Sequence, residues 1–129
     1  MPSTTTTSHH VWTTVCRAAD LAPCWGEAAL VGDAQVAIFL VPEDGDLQVR
    51  AVSNIDPATG AAVMSRGIVG SRAGRPTVAS PLHKDVYDLV TGECYTTPAL
   101  HLPVWQVRQQ DGVVAVAPLA LAADAAAAG

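Results

Sequence analysis

Between Val11 and Pro118 the apolar residues keep no sustained helical period, and turn residues cut the chain into short runs. That restricts the chain to architectures built from many short strands. "VWTTVC" (11–16) mixes β-branched and aromatic residues with polar ones, as a half-buried strand does. "EAALVG" (27–32) and "AQVAIFLV" (34–41) read as a hairpin, because Gly32-Asp33 supplies the positive-φ chemistry of a tight turn. "PEDGD" (42–46) reads as a second turn. "LQVRAVS" (47–53) alternates with period two and places Leu47, Val49, Ala51 and Ser53 on one face. Residues 54–75 are rich in Asn, Asp, Pro, Gly, Ser and Arg, so this stretch reads as loop, interrupted at "AAVMSRGIV" (61–69) by a short strand or helical turn. "RPTVAS" (75–80) and "VYDLV" (86–90) read as short strands, the second closed by Thr91-Gly92. "LPVWQVRQQ" (102–110) and "VVAVAP" (113–118) flank Asp111-Gly112, the strongest hairpin signal in the chain. The expectation is one all-β domain over 11–118, a small sandwich or barrel of short antiparallel strands.

The ends differ in texture. Residues 1–10, "MPSTTTTSHH", are polar and Thr-rich, and read as a flexible N-terminal arm whose His9 and His10 meet solvent. Residues 119–129 form an alanine-rich C-terminal tail that buries nothing by itself and reads as disordered. A chain of 129 residues has room for one domain with its own core.

Charge excludes some functions. The net charge is −5, and the seven Lys and Arg are scattered, so the clustered basic footprint of a nucleic-acid-binding protein is missing. No run reaches the ~18 apolar residues of a membrane span, and the N-terminus has neither the basic nor the apolar region of a signal peptide. A cytoplasmic location is the expectation. With half the residues hydrophobic and 15% charged, the surface is thin in charge, which suits a face covered by a partner.

Cys16, Cys24 and Cys94 form no C-x-x-C pair, so neither a zinc ribbon nor a thioredoxin-like site is signalled, and they read as free thiols in or near the core. Ser80 and His83 stand three apart, but no G-x-S-x-G elbow contains the serine. "SRGIVGSRAG" has glycines without the lysine of a phosphate loop. No catalytic residue is assigned. Trp12, Trp25 and Trp105 read as core or barrel-end packing.

Two stretches carry a family resemblance. "SPLHKDVYDLVTG" (80–92) resembles the second ligand loop of Rieske-type [2Fe–2S] domains, in which C-P-x-H is followed by Gly, an aromatic-Asp pair and Thr-Gly. Ser80 stands in the place of the cysteine and Lys84 in that of the glycine, while His83, Tyr87-Asp88 and Thr91-Gly92 match. The first ligand loop falls at Asn54-Ile55-Asp56-Pro57, with Asn54 in the place of cysteine and Asp56 in that of histidine. "GAAVMSRGIVG" (60–70), "ASPL" (79–82) and the 23 residues between Asp56 and Ser80 resemble the small subunits of NAD(P)H-dependent assimilatory nitrite reductases in particular. The likeness covers about residues 11–117 and implies a Rieske-like (ISP-type) β fold.

A Rieske cluster takes two thiolates on one iron and two imidazoles on the other. Of the four vestigial positions Asn54, Asp56, Ser80 and His83, only His83 keeps a ligand side chain. The expectation is no cluster and no other cofactor or metal on this chain. Asn, Asp and Ser accept hydrogen bonds from nearby backbone N–H groups, so they are expected to hold the two loops together in place of iron. The resemblance implies a large partner subunit that carries FAD, an iron–sulfur cluster and sirohaem and reduces nitrite to ammonium with NAD(P)H. The chain would then be an oxidoreductase only as a non-catalytic subunit that stabilises or activates its partner. The expected contact face is the two-loop tip, residues 54–60 and 80–85, together with segment 61–70, and its contact residues are Ile55, Pro57, Met64, Leu82, His83 and Lys84. Two other readings stand beside this one: a Rieske-type electron carrier using unusual ligands such as Cys94 or Cys16, and a free-standing regulatory or binding β-module.

Overall fold

A computed structural model of the chain describes residues 12–118; the expected arm and tail, with His9 and His10, lie outside the described residues. Nine strands form two sheets. The larger contains β1 (Thr13–Arg17), β2 (Gly26–Val31), β3 (Ala34–Glu43), β4 (Asp46–Ser53), β8 (Val104–Gln110) and β9 (Val113–Pro118), in the order β1-β9-β8-β4-β3-β2. Each pairing is antiparallel, and the outer strands β1 and β2 come back against one another, so the sheet is a nearly closed barrel. The smaller sheet, β5 (Ile68–Arg72), β6 (Arg75–Ala79) and β7 (Val86–Asp88), is inserted between β4 and β8. The all-β expectation holds.

Turn chemistry sets the register. Asp44-Gly45 and Asp111-Gly112 both take positive φ at two successive positions, as two-residue hairpins with the strands' own twist require. The expected turn over 42–46 is shorter than its composition suggests. Strand β3 runs through Pro42, which pairs with Leu47, and ends at Glu43, whose carboxylate accepts two bonds from Arg50 Nη2 at 2.8 Å. A further hairpin joins β5 to β6 through Ala73-Gly74, with Ala73 held at φ 53°. Alanine gives no turn signal, which is why this hairpin is hidden inside a loop-like sequence.

Both faces of the central strands are buried, and that produces two cores. Val36, Ile38, Val49, Ala51, Val114 and Val116 fill the barrel with Leu21. The alternate residues Ala37, Phe39, Val41 and Val52 pack outward against Met64, Val78, Tyr87, Leu89 and Leu102 from the inserted segment. Period two in β4 therefore divides two interiors rather than an inside from an outside: Val49 and Ala51 face the barrel, Val52 faces the small sheet, and Leu47 at the strand start is exposed. The insert is thus clamped onto the barrel wall, with the loops after β4 and β6 at one end.

The aromatic expectation fails at one position. Trp105 packs against the barrel core and half-buried Trp12 lies under the Arg108 guanidinium at 4.6 Å, but Trp25 is 71% exposed. It sits in the loop before β2, where Leu21 turns into the barrel core and Trp25 turns to water. The three thiols are free, yet Cys24 beside Trp25 is also exposed; only Cys16 and Cys94 reach the two cores.

Candidate functional site

The loops after β4 and β6 meet, and their polar side chains face inward. Asn54, Asp56 and Ser80 are all buried. Ser80 Oγ donates to Asp56 Oδ2 at 2.5 Å, the one direct side-chain link between the two loops. The second Asp56 oxygen accepts from Ala58 N at 2.8 Å, an Asx turn that closes the first loop, and Gly60 N donates to the Asp56 carbonyl at 2.7 Å. Ser80 Oγ accepts from Leu82 N at 3.3 Å, and Lys84 N donates to the Ser80 carbonyl at 2.9 Å. Asn54 ties the first loop to its neighbours instead: Oδ1 accepts from Ser65 N at 2.7 Å and Nδ2 donates to Gln35 Oε1 at 3.4 Å.

The remaining tip residues divide by exposure. Leu82, His83 and Lys84 are exposed, and Ile55 and Pro57 are half-buried. Met64 is different from what its place in the sequence suggests: it is fully buried in the core between the sheets and cannot touch a partner. It belongs to a single 3-10 turn, Met64–Arg66, which points one apolar side chain inward and leaves Arg66 outside. Lys84 stands at φ 60°, the left-handed conformation that glycine adopts without a Cβ penalty.

The rest of the second loop is an anchor. Buried Asp88 accepts from Arg75 Nε and from the Tyr95 hydroxyl, both at 2.6 Å on Oδ2, while Oδ1 accepts from Val90 N and Thr91 N. Burial alone would raise its pKa; the Arg75, Tyr95 and backbone donors outweigh burial and bring it down to about 2. Gly92 closes the turn at φ 82°, where a Cβ would lie 2.0 Å from the Leu102 carbonyl oxygen. Only glycine fits there. Asp85 is held below its usual range by the Thr96 and Thr97 hydroxyls that donate to it.

The donor set does not fit a [2Fe–2S] cluster. Two irons need thiolates and imidazoles, and the buried positions offer one amide and two oxygen side chains whose lone pairs are taken up by Ser65, Ala58, Ser80 and Leu82. Among the described residues no group of three or more His, Cys, Asp or Glu could hold a metal ion. Cys94 accepts from Thr97 N at 3.3 Å and lies in the core between the sheets, whereas Cys16 packs on the barrel core, so the two thiols do not converge. The buried Tyr87 hydroxyl has no protein partner. Burial, with Cys94 and Asp56 nearby, pushes its pKa well up.

Some members of this arrangement carry no signal in the sequence. Gln35 and Ser65 meet Asn54 only because β3 pairs with β4 and the chain doubles back at the 3-10 turn. Arg75 and Tyr95 flank Asp88 for the same kind of reason. No helix among the described residues is long and apolar enough to cross a membrane.

The family of Rieske-like [2Fe–2S] domains matches residues 11–117. The chain is 42% identical over 103 residues to the NADH nitrite reductase small subunit of Escherichia coli K12, covering 80% of this chain and 94% of that protein. It superposes on the crystal structure of a Mycobacterium tuberculosis protein assigned as an NADH-dependent nitrite reductase small subunit, with a TM-score of 0.78 and 44% identity over 84% of this chain and 96% of the other. A stretch of the NAD(P)H nitrite reductase large subunit of Klebsiella oxytoca is 33% identical over 103 residues, which is 80% of this chain and 10% of that protein. The chain therefore belongs to the Rieske-like domain family and, within it, to the nitrite reductase small subunits.

Proposed function

We propose that the chain is the small subunit of an NAD(P)H nitrite reductase and works without an iron–sulfur cluster of its own. Its contribution is structural: it binds the large subunit and stabilises or activates it. The FAD, iron–sulfur cluster and sirohaem that the family implies belong to that partner, as do the catalytic residues. The assembly would act in the cytoplasm.

The Asp56–Ser80 hydrogen bond carries the reading, because it joins two positions at which the family's cluster ligands would stand. The Klebsiella relative supports the partnership, since a domain like this one makes up 10% of a large subunit there. That likeness also favours a subunit over a free-standing module. No specific observation favours an electron carrier with Cys16 or Cys94 as ligands. The tip residues Ile55, Pro57, Leu82, His83 and Lys84 are the proposed contacts, and the buried Met64 is not one of them.

The test is nitrite-dependent NAD(P)H oxidation by the large subunit, with and without this chain. The chain should raise the rate or the lifetime of activity. A large subunit equally active and equally stable alone would refute the proposal.

A further inference from the structure

A groove beside the tip has the features of a second contact. One wall is Cys24, Trp25 and Gly26; the other is Arg66, Ile68 and Val69. Trp25 is 71% exposed and Ile68 69%, so two of the largest apolar side chains in the molecule face water across it. Single exposed apolar residues need no explanation, but two lining one groove do.

The groove is built rather than incidental. A Cβ on Gly26 would lie 2.2 Å from the Ser65 carbonyl oxygen and 2.7 Å from the Phe39 ring, so glycine is what lets the 3-10 turn approach β2. Ser65 is the same residue whose N–H donates to Asn54 at 2.7 Å, so the first loop of the tip positions this wall.

The second wall is also a free strand edge. Strand β5 pairs with β6 on one side and with no strand on the other. Apart from its pairing with β6, none of the backbone groups of Ile68–Arg72 takes part in a backbone hydrogen bond among the described residues. Such an edge is a template for an added strand.

Charge narrows the occupant. Ion pairs within 4 Å among the described residues are Arg17–Asp20, Arg50–Glu43 and Arg75–Asp88. Arg66, two residues before β5, and Arg72, at its end, make no ion pair within 4 Å among the described residues, although the chain has 12 Asp and Glu against 7 Lys and Arg. Arg72 stacks on the Tyr95 ring at 4.4 Å. Two guanidiniums flanking an edge that begins with Ile68 and Val69, without an ion pair among the described residues, complement an extended segment that carries apolar side chains and carboxylates.

We propose that the large nitrite reductase subunit lays such a segment into this groove, adding a strand to β5 with an apolar side chain against Trp25 and Ile68. The proposal rests on the reading of the chain as a small subunit. The experiment measures the affinity of the full-length chain for the large subunit. Trp25→Glu/Ile68→Glu and Arg66→Glu/Arg72→Glu should each weaken binding at least tenfold, and Leu47→Glu, an exposed apolar site away from the groove, should bind as the wild type does. The amides of Ile68–Arg72 should exchange more slowly in the complex. All four side chains are exposed, and unchanged thermal melts establish that the variants fold. If both double variants bind as the wild type does while Leu82→Asp loses binding, the groove proposal is overturned and the partnership stands. If the wild-type chain does not bind the large subunit, the partnership itself falls and the groove proposal with it.

Discussion

Ser80 donates its hydroxyl to the Asp56 carboxylate at 2.5 Å, joining two loops 24 residues apart in the chain. The bond is buried and continuous with an Asx turn on one side and a serine turn on the other. A buried hydrogen bond contributes about 0.5–1.5 kcal/mol net, and removing one partner costs about 1–3 kcal/mol because the other is stranded. In the proposed cluster-free small subunit, this bond would supply the cross-link between the two loops that a cluster gives in Rieske domains.

Asp56→Ala removes two acceptors at once and should destabilise the domain by about 3 kcal/mol. Ser80→Ala leaves the buried carboxylate short of one donor and should cost about 2 kcal/mol. The two residues share one bond, so the double variant should lose less than the sum by about 1–2 kcal/mol. Urea unfolding of the four proteins measures this, and strict additivity would mean that the bond contributes nothing.

Asp88 predicts a pH dependence. Its folded pKa of about 2 lies below the ordinary 3.8, so the folded state favours the ionised form. The stabilisation is complete above about pH 5 and is lost as pH falls through 4 towards 2. After allowing for the half-exposed Arg75 partner, it amounts to about 2 kcal/mol. Between pH 6 and pH 2 the wild type should lose that much more stability than Asp88→Asn, as measured by denaturant melts. Parallel curves would contradict the assignment.

Gly92→Ala places a methyl against the Leu102 carbonyl and forces a left-handed conformation on alanine. The loss should exceed about 3 kcal/mol, visible as insoluble expression or a strongly lowered Tm.

Lys84→Gly acts in the other direction. A non-glycine residue at φ 60° costs about 1–2 kcal/mol, and the extra freedom of glycine in the unfolded chain returns about 0.5–1 kcal/mol of that. A net gain of about 0.5 kcal/mol should appear as a slightly raised Tm; a lowered one would show that the Lys84 side chain makes a stabilising contact.

The strands and most turns were legible because each depends on local chemistry: alternation in 47–53, Asp111-Gly112 between two β-type runs, Thr91-Gly92 after an aromatic-Asp pair. The meeting of loops 54–57 and 80–83 was legible only through resemblance, since nothing local links Asp56 to Ser80. What escaped is tertiary. Met64 and Ile68 are four apart in one apolar stretch, yet one is fully buried and the other 69% exposed, because the 3-10 turn ends at Arg66 and β5 turns Ile68 away from the core. Trp25 lies in a short loop whose direction is set by the packing of Gly26 under Ser65, and composition alone placed it inside. The Ala73-Gly74 hairpin was hidden because alanine occupies a position that usually announces itself with Asn, Asp or Gly.

The central claim is that side-chain hydrogen bonds stand where a cluster would bind, and the most direct measurement is iron and acid-labile sulfide per chain in anaerobically purified protein, alongside its visible spectrum. The account predicts colourless protein with iron and sulfide far below one equivalent. Brown protein holding about two irons and two sulfides per chain, the content of one [2Fe–2S] centre, would contradict it.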